Sequence, residues 1–393
     1  MKCKAKDKID SLFTLTVFKS IKRDECIRAL HRAFQKNEFR EQEFSNAISI
    51  LLDKSQGNLT EYLKDLIRND ENFYIKKFSK GEAINQIEKN NLDRDINILD
   101  DFNNNLQACL ISDSKMLPDH NSMPEFSYNE CDIAKFYDDV LNNSTKNGYG
   151  KWANYNMFVL SPKGKIKPIT NSQPLEIQDL YEYEREKQII YDNTKRLVEG
   201  KLAQNVLLTG DAGCGKSSSI KAIANSFKHE GLRIIEVKKS QITQIAKLLG
   251  KLEQLNLKFI IFIDDVSYSQ GDENYNALKA LLEGSCVERA KNITIYATSN
   301  RRHMIAEKFS DRDGDDMHVN DVIQEQISLS DRFGIHVTFS RPSKEVYLEI
   351  VKKLAHKHHV KTSSELLAEA EKFALVRGGR SARVAKQFIE MQE

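Results

Sequence analysis

The sequence predicts an α/β fold with a parallel five-stranded sheet, preceded by a mainly helical N-terminal domain and followed by a small C-terminal helical domain. Two observations support this prediction. Short, wholly apolar runs alternate with helix-forming stretches between about residues 175 and 341, which is typical of parallel strands covered by helices on both faces. Residues 1–145 place apolar side chains three and four positions apart and contain few glycines or prolines, which favours helices.

The alternating region is interpreted as five strands and three helices. The predicted strands cover residues 206–209, 233–237, 259–263, 293–297 and 335–339. The predicted helices between them cover residues 217–227, 241–255 and 275–283. After Arg341-Pro342 the apolar residues return to helical spacing, which indicates a separate helical segment to the end of the chain.

Composition indicates a protein of several domains without a membrane span, but it does not indicate which kind of molecule the protein binds. The 393 residues suffice for two or three domains. The formal net charge of +2 gives no strong field that selects nucleic acid or a membrane surface. The six cysteines are scattered without a CxxC pair, which suits a reducing compartment. No uncharged apolar run reaches about 18 residues, so we expect a cytoplasmic protein without a membrane span.

Residues 210–217 form a complete GxxxxGK[ST] motif between an apolar run and a helix-forming stretch. Glycines let backbone N–H groups wrap phosphates, and the positive end of the following helix faces them. Lys216 is expected to reach the β- and γ-phosphates of a nucleotide, and the Ser217 hydroxyl to coordinate Mg²⁺. A glycine-rich turn is the alternative. The candidate nucleotide-binding residues are Gly210, Asp211, Ala212, Gly213, Cys214, Gly215, Lys216, Ser217 and Ser218.

A second motif lies at the end of the apolar run 259–263, which is followed by Asp264 and Asp265. Asp264 comes 48 residues after Lys216. This is the form expected of a Walker B strand. Asp264 is the candidate magnesium partner, acting through water, and Asp265 the residue that orients the attacking water. A buried strand that ends in a solvated acidic turn is the alternative.

The run 293–297 ends in Thr298, Ser299 and Asn300. An amide at the tip of a strand beside the Walker B strand can hydrogen-bond the γ-phosphate or the attacking water, which is the sensor 1 role. The alternative is that Asn300 caps the next helix. Arg301 and Arg302 follow and are candidates for contact with a neighbouring subunit.

Three further arginines are candidates for phosphate contact. Arg332 precedes the last strand and is the candidate arginine finger, reaching the γ-phosphate site of an adjacent subunit and so implying a homo-oligomer. An intrachain salt bridge with Asp331 or another acid is the alternative. In the C-terminal segment, Arg383, with Arg380 as second choice, is the candidate that reports nucleotide state through movement of a lid. Exposed arginines at a helix end are the alternative there.

Cys214 is also a candidate reactive thiol, because a helix N-terminus lowers the pKa of a thiol. The alternative is that Cys214 merely fills a position in the loop. The histidine-rich stretch 356–359 is interpreted as a solvated helix face and 311–316 as an acidic loop.

The sequence therefore divides into four predicted segments. A helical domain (1–145) is followed by a β-hairpin linker (146–175), a nucleotide-binding domain (176–341) and a helical lid (342–393). The hairpin is inferred from apolar runs on either side of Ser161-Pro162-Lys163-Gly164, which is a turn sequence.

In this order, with a helical lid after the sheet, the motifs resemble those of AAA+ ATPases. More closely, several segments are similar to the bacterial AAA+ family called domain of unknown function 815. These segments are 180–184, 193–194, 205–208, 279–284, 297–303, 329–334 and 378–381. The resemblance is close over about residues 175–393 and loose over the helical N-terminal half. It implies ATP binding by an AAA+ core, without implying a substrate.

Two departures from relatives bear on activity. Many AAA+ motors carry Asp-Glu where this chain has Asp264-Asp265, so slow, switch-like hydrolysis is expected. The segment 180–183 lacks the glycine that is common in the adenine-contacting turn of relatives, and Tyr181 is the candidate adenine contact within it.

The resulting expectation is an AAA+ protein that binds and hydrolyses Mg·ATP to drive conformational change on an unidentified macromolecule, protein or nucleic acid. One alternative is a DNA-associated loader or initiator-like ATPase, favoured by Asp264-Asp265 and by basic residues in the N-terminal half but opposed by the near-neutral charge. The other is a non-hydrolysing adaptor, in which ATP only orders a protein-binding surface.

Overall fold

The computed structural model describes residues 4–35, 39–112, 124–170, 175–266, 273–283, 290–300 and 331–392. The chain forms two compact units, Met1–Asn154 and Tyr155–Glu393. Within the described ranges, every helix is either too short or too polar to cross a lipid bilayer.

The first unit is built of helices, as residues 1–145 predict. Its helices are α1 Ala5–Leu12, α2 Glu25–Ala33, α3 Glu41–Ser55, α4 Leu59–Asn69, α5 Phe73–Ser79, α6 Gln86–Ser112, α7 Ile133–Asn147 and α8 Lys151–Asn154. Short polar side chains fix where several of them begin. Asp24, Asn58, Asn72 and Asp132 each accept a hydrogen bond from a backbone N–H in the first turn of α2, α4, α5 and α7. These caps satisfy donors that have no partner inside the helix.

A buried carboxylate joins the segment after α1 to the long helix α6. Asp95 is fully buried and accepts hydrogen bonds from the backbone N–H groups of Thr16 and Val17 at 2.7 and 2.6 Å. Phe18 then packs edge-on against the ring of Tyr137 in α7, with ring centroids 5.0 Å apart. Charge-assisted bonds of this kind are among the stronger hydrogen bonds in proteins, so Asp95 fixes where this segment enters the core.

The cysteines only partly match the expectation from their spacing. Cys26, Cys131 and Cys214 are free thiols. Cys109 is disulfide-bonded, although the scattered cysteines argued against a disulfide framework. Spacing along a chain does not show which cysteines folding brings together.

The second unit contains a sheet in which the described strands follow the order β2-β1-β4-β5-β6-β3-β7. The strands are β1 Met157–Leu160, β2 Ile166–Pro168, β3 Val206–Gly210, β4 Leu232–Val237, β5 Lys258–Ile263, β6 Ile293–Ser299 and β7 Ile335–Phe339. Every neighbouring pair is parallel except β1 and β2. The five strands predicted from the sequence are confirmed, each to within two residues at either end.

The predicted number of strands was wrong, because the hairpin β1–β2 belongs to the sheet. β1 pairs with β4 in parallel, with Phe158 opposite Ile235. Phe158 and Leu160 are buried. The unpaired N–H and C=O groups along an edge of the five-stranded sheet favour the addition of another strand, and β1 supplies that strand.

Helices cover the sheet and form a lid after it. They are α9 Glu184–Val198, α10 Lys216–Ser226, α11 Ile245–Leu252 and α12 Glu273–Glu283, followed in the lid by α13 Lys344–Lys357, α14 Ser364–Val376 and α15 Ala382–Glu390. The helix predicted at 241–255 is shorter than expected. A 3-10 turn over Lys239–Gln244 precedes α11, because the buried Gln241 amide donates to the carbonyl of Leu160 at 3.0 Å and fixes the turn against β1.

The main core of the second unit lies between the sheet and the helices α9 and α10. Its buried members include Leu208, Ile223 and Phe262. Tyr296 of β6 is fully buried, and its hydroxyl is hydrogen-bonded to Asn193 at 3.0 Å and Thr194 at 2.8 Å, both in α9. A buried hydroxyl without partners costs about 1–3 kcal/mol, so these bonds let the ring join the core.

The sheet order places β3 between β6 and β7, while the next strand in sequence, β4, lies beyond β5 and β6. The connection from β3 therefore runs toward β4 on one side, whereas the strand that follows β6 in sequence, β7, lies on the other side of β3. In open α/β sheets the crevice at such a switch point is the usual ligand site. The phosphate-binding motif begins at Gly210, the last residue of β3.

A substitution at Gly210 tests how closely β3 and β7 pack at this point. Its φ is +137°, and a Cβ there would lie 2.0 Å from the carbonyl oxygen of Phe339. We expect Gly210→Ala to lower the free energy of unfolding by at least about 2 kcal/mol, from backbone strain and the clash. Urea unfolding followed by circular dichroism measures the change.

The matched control is Gly250→Ala in helix α11, where an added Cβ meets nothing within 4 Å. That variant is expected to raise stability by up to about 1 kcal/mol, because alanine favours helix over glycine. Equal stability of the two variants would contradict the close approach of β3 and β7.

Candidate functional site

The carboxyl ends of β3, β5 and β6 meet at one cavity of about 870 Å³. Parallel pairing brings the ends of adjacent strands to the same edge of the sheet. The motif residues that line the cavity are Ala212, Gly213, Cys214, Gly215, Lys216, Ser217, Ser218, Asp264, Asp265 and Asn300. The phosphate-binding loop, the two aspartates and Asn300 therefore line one cavity, whereas the sequence showed only their order along the chain.

The phosphate-binding loop has the backbone shape that its glycines predict. Gly213 and Gly215 adopt φ of +81° and +89°, a region that side chains disfavour. Helix α10 begins at Lys216, so its unpaired N–H groups and its positive dipole end face the cavity. This arrangement suits an anion such as a phosphate group.

The ammonium group of Lys216 is held inside the loop. Its Nζ donates to the carbonyl oxygens of Gly210 at 2.7 Å and Asp211 at 2.8 Å and to Oδ1 of Asn300 at 3.0 Å. The residue is 5% exposed, and burial lowers the pKa of Lys216 against the opposing effect of nearby acidic groups. The charge is thus oriented by neutral acceptors that a phosphate can replace.

Ser217 and Asp264 form a pair of oxygen ligands. The Ser217 hydroxyl donates to Oδ1 of Asp264 at 2.6 Å, and the Thr298 hydroxyl donates to the same oxygen at 2.6 Å. Hydroxyl and carboxylate oxygens are the hard ligands that Mg²⁺ prefers. The residues at this position therefore fit the ion that the motifs imply.

Asp265 is fixed by contacts to β6. Its backbone N–H donates to the Thr298 hydroxyl at 3.0 Å, and its Oδ1 accepts from the Asn300 amide at 2.8 Å. Its φ is 54°, a left-handed conformation that costs a residue with a side chain about 1–3 kcal/mol. Such strain persists only where neighbouring contacts enforce it.

The lid borders the cavity through α15. Arg383 lines the cavity, and its backbone N–H reaches the carbonyl of Gly213 at 3.4 Å. Arg380, the second choice from the sequence, is not among the cavity residues. Its guanidinium is paired with both carboxylate oxygens of Glu371 in α14, with Nε at 3.0 and 3.2 Å. Of the two arginines, the structure therefore brings only Arg383 to the site.

Arg332 lies apart from the cavity of its own chain. Its guanidinium forms a salt bridge with Glu283 at the end of α12, at 2.6 Å. An intrachain salt bridge is the alternative that the sequence left open for this residue. The arginine side chain is 26% exposed, so a part of it faces solvent.

A strap formed by residues 175–183 runs along the cavity ahead of α9. Tyr181 lines the cavity, and the Lys353 ammonium of α13 lies 5.7 Å from the centre of its ring. Lys353 also pairs with Glu182 at 3.4 Å, and Lys357 pairs with Asp179. Two salt bridges therefore connect the strap to the lid.

The sequence left two interpretations open for Cys214, a reactive thiol and a residue that fills a loop position, and its surroundings favour the second. The side chain is buried and hydrogen-bonded to the Tyr183 hydroxyl, and burial raises the pKa of Cys214 despite the nearby Lys216 charge. Removal of a thiol from water disfavours the thiolate. The sequence shows that Cys214 lies in the loop, but it does not show that the strap covers the thiol.

Thr298 and Arg341 are among the residues of this region to which sequence reasoning gave no role. Thr298 bonds to both aspartates, and a threonine two positions before the strand-tip asparagine was the available signal. Arg341 pairs with Asp211 of the loop at 3.3 Å, which no local pattern indicated. Arg301, Arg302 and the segment 311–316 lie outside the described residues.

Fold and site together define an AAA+ P-loop NTPase. The parallel strands β4-β5-β6-β3-β7, the phosphate-binding loop after β3, the aspartates after β5, the asparagine after β6 and the helical lid all occur in one unit. A family model described as "Protein of unknown function (DUF815)" matches residues 153–393. The chain belongs to this family, as the resemblance in its motifs predicted.

Two curated proteins are similar to parts of the chain. The replication factor C large subunit of Nanoarchaeum equitans is 24% identical over 202 residues, covering 50% of this chain and 41% of that protein. The replication factor C large subunit of Staphylothermus marinus is 29% identical over 126 residues, covering 30% and 29%. The chain therefore spans less than half the length of either relative.

Solved structures that match the chain include two at low identity and low TM-score. The RuvB Holliday junction branch migration motor of Thermotoga maritima is 15% identical, covers 56% of this chain and 72% of that one, and has a TM-score of 0.32. AMPPCP-bound DnaA from Aquifex aeolicus is 16% identical, covers 59% and 65%, and has a TM-score of 0.37. Similarity at this level carries no argument about function.

The burial of Cys214 makes a chemical prediction. We expect iodoacetamide at pH 8 to modify Cys214 at least about tenfold more slowly in the folded protein than in urea, because burial limits access and disfavours the thiolate. The rate should rise with pH, since the raised pKa keeps the thiol protonated at pH 8. Peptide mass spectrometry over time measures both rates. Preferential labelling of Cys214 in the folded protein would contradict this account.

Proposed function

We propose that this protein is an ATPase that binds Mg·ATP in the cavity at the ends of β3, β5 and β6. One observation carries the proposal. Lys216, Asp265 and Asn300 form a continuous hydrogen-bonded chain, since Asn300 accepts from the lysine and donates to the aspartate. Groups suited to the phosphate and to the attacking water are thereby joined through one amide.

Different residues of the chain are proposed to bind the phosphates and to orient the attacking water. The N–H groups of the loop and the Lys216 ammonium bind the β- and γ-phosphates, and Arg383 adds a charge from the lid. Asp265 accepts a hydrogen bond from the attacking water and orients it. The Asn300 NH₂ group has two hydrogens, and we propose that it donates one to Asp265 and the other to the γ-phosphate. Electrostatic stabilisation and positioning of this kind account for most of phosphoryl-transfer catalysis.

Ser217 and Asp264 are the residues that would hold Mg²⁺, Ser217 directly and Asp264 through water. When bound, the ion would supply positive charge that neutralises the phosphate oxygens. Asp265 is one methylene shorter than the glutamate of many AAA+ motors. We therefore propose slow turnover, which suits a switch more than a fast motor.

Assembly is the second part of the proposal. Arg332 is proposed to leave Glu283 and enter the γ-phosphate site of a neighbouring copy, where it stabilises charge in the transition state. Its partly exposed position outside its own cavity supports this role. Energy released in the site is proposed to move the lid and to act on a macromolecular partner, in the cytoplasm.

A role on DNA is the second candidate function. The curated relatives are named as subunits of a replication factor, and both aspartates after β5 match the pattern expected of loader-like and initiator-like ATPases. The formal net charge of +2 gives no general attraction for DNA. Filter binding at several salt concentrations, with and without ATP, separates this candidate from one that acts on a protein. Undetectable or salt-insensitive DNA binding excludes it.

The first test removes the lysine of the loop. Lys216→Ala is expected to weaken Mg·ATP binding about 100-fold, because hydrogen bonds to charged groups are worth about 1.5–3 kcal/mol and tenfold in affinity is about 1.4 kcal/mol. Isothermal titration calorimetry measures the affinity, and release of phosphate measures turnover.

Lys221→Ala is the matched control, since Lys221 lies in the same helix but pairs with Glu236 at 2.8 Å. It should bind Mg·ATP like the unaltered protein. The proposal is wrong if the unaltered protein binds no ATP, or if Lys216→Ala and Lys221→Ala bind it equally. ATP binding without phosphate release would support the non-hydrolysing adaptor instead.

The second test asks whether Arg332 acts between subunits. Arg332→Ala is expected to bind ATP normally but to hydrolyse it at least about tenfold more slowly, which is a conservative figure for an arginine finger. Mixing Arg332→Ala with Lys216→Ala protein should restore part of the ATPase activity, because some mixed interfaces then hold an intact lysine and an intact arginine.

Glu283→Gln serves as the control, because it breaks the salt bridge but leaves the arginine in place. This variant should keep its ATPase activity. Loss of activity in Glu283→Gln, or no rescue in mixtures that still assemble, would assign Arg332 a role within one chain.

A further inference from the structure

Thr298 occupies the space between the two aspartates of the proposed site. It is the sixth residue of β6 and is 2% exposed. Its hydroxyl donates to Oδ1 of Asp264 at 2.6 Å and accepts from the backbone N–H of Asp265 at 3.0 Å. One side chain therefore contacts the candidate magnesium partner and the candidate water-orienting residue at the same time.

The direction of these hydrogen bonds is fixed by chemistry. A backbone N–H can only donate, so the Thr298 oxygen is the acceptor toward Asp265. The single hydroxyl proton is then directed to Asp264, which accepts it as a carboxylate. The two bonds support each other, because donation and acceptance use different parts of the hydroxyl group.

Strand register explains why Thr298 stands at this position. β5 and β6 are parallel, and their last paired residues are Ile263 and Ala297. The residues that follow them, Asp264 after Ile263 and Thr298 after Ala297, therefore lie side by side just beyond the last paired residues of the two strands. The Thr298 carbonyl also accepts from the backbone N–H of Val266 at 2.7 Å, so Thr298 binds the chain on both sides of Asp265.

The conformation of Asp265 depends on such support. Its φ of 54° is unfavourable for a residue with a side chain. The contacts from Thr298 hold the backbone before and after this residue, while Asn300 holds its carboxylate at 2.8 Å. Without the hydroxyl, the backbone N–H of Asp265 loses its acceptor and the strained conformation loses part of its compensation.

We propose that Thr298 is a positioning residue that sets the relative orientation of Asp264 and Asp265, so that metal binding and water orientation are coupled through one hydroxyl. This inference rests on the proposed ATPase function and adds to it. Thr298 acts through the aspartates, and it forms and breaks no bond with the nucleotide. Partners one layer beyond metal ligands commonly change metal affinity by about 10- to 100-fold.

The chain offers a closely matched control in Thr294. It lies on the same strand, four residues earlier and on the same face, is 1% exposed, and donates from its hydroxyl to the carbonyl of Gln204 at 2.8 Å. Thr294→Val and Thr298→Val remove the same atom from equally buried positions. A general loss of stability should therefore affect both variants alike.

The experiment measures Mn²⁺ binding in the presence of ADP by electron paramagnetic resonance, together with ATP turnover and urea unfolding. For Thr298→Val we expect Mn²⁺ affinity to fall about tenfold and kcat to fall while ADP affinity without metal stays unchanged. Thr298→Ser keeps the hydroxyl and should restore both quantities. Thr294→Val should leave both at the level of the unaltered protein. Thr298→Ala replaces Thr298→Val if the valine variant does not fold.

The possible results separate this inference from the proposed function. If the unaltered protein binds ADP and Mn²⁺ but Thr298→Val and Thr294→Val are indistinguishable, the role of Thr298 is wrong and the ATPase proposal stands. Failure of Thr298→Ser to restore binding also overturns the role of the hydroxyl. If the unaltered protein binds neither ligand, the proposed function fails and the inference fails with it.

Discussion

The parallel pairing of β3, β5 and β6 is the constraint on which the site depends. Because β5 and β6 pair through Ile263 and Ala297 and β6 pairs with β3 through Thr209 and Ser299, three chain segments leave the sheet at one edge. A slip of one residue in a strand reverses which side chains face the core. The register is held by apolar residues buried on both faces of the sheet. Packing in the core therefore also sets the positions of the polar side chains that follow the strand ends.

The polar groups at this edge satisfy one another in a single network. Lys216 uses loop carbonyls and an amide, Asp264 accepts two hydroxyls, and the amide of Asn300 joins Lys216 to Asp265. Buried donors and acceptors are costly when left without partners. The bonds that Lys216 and Ser217 make are to groups that a phosphate or a hydrated cation can replace, whereas the bond from Thr298 to Asp264 is proposed to stay. The site is therefore stable by itself and also prepared to exchange internal partners for a nucleotide.

The lid and the strap border the cavity on which this network lies. Two salt bridges between α13 and the strap and the contact of Arg383 with Gly213 link these segments around the cavity. Exposed ion pairs contribute little to stability, typically about 0–1 kcal/mol, so they can rearrange at low cost. The lid also has its own core, which includes Tyr347 and Phe388, so its helices pack together as a unit. The lid movement that we propose would therefore be opposed only weakly by these ion pairs.

The sequence by itself determined the elements, the order of the motifs and the class of chemistry. The five central strands, the loop Gly210–Ser217, and the residues Asp264, Asp265 and Asn300 were all readable, because glycine conformations and apolar periodicity are local properties. The tertiary structure decided the rest. It added the hairpin to the sheet, placed Arg380 on Glu371 and Arg332 on Glu283, buried Cys214 under the strap, and brought Thr298 between two aspartates. These outcomes depend on strand register and on contacts between residues far apart in sequence, which no local pattern encodes.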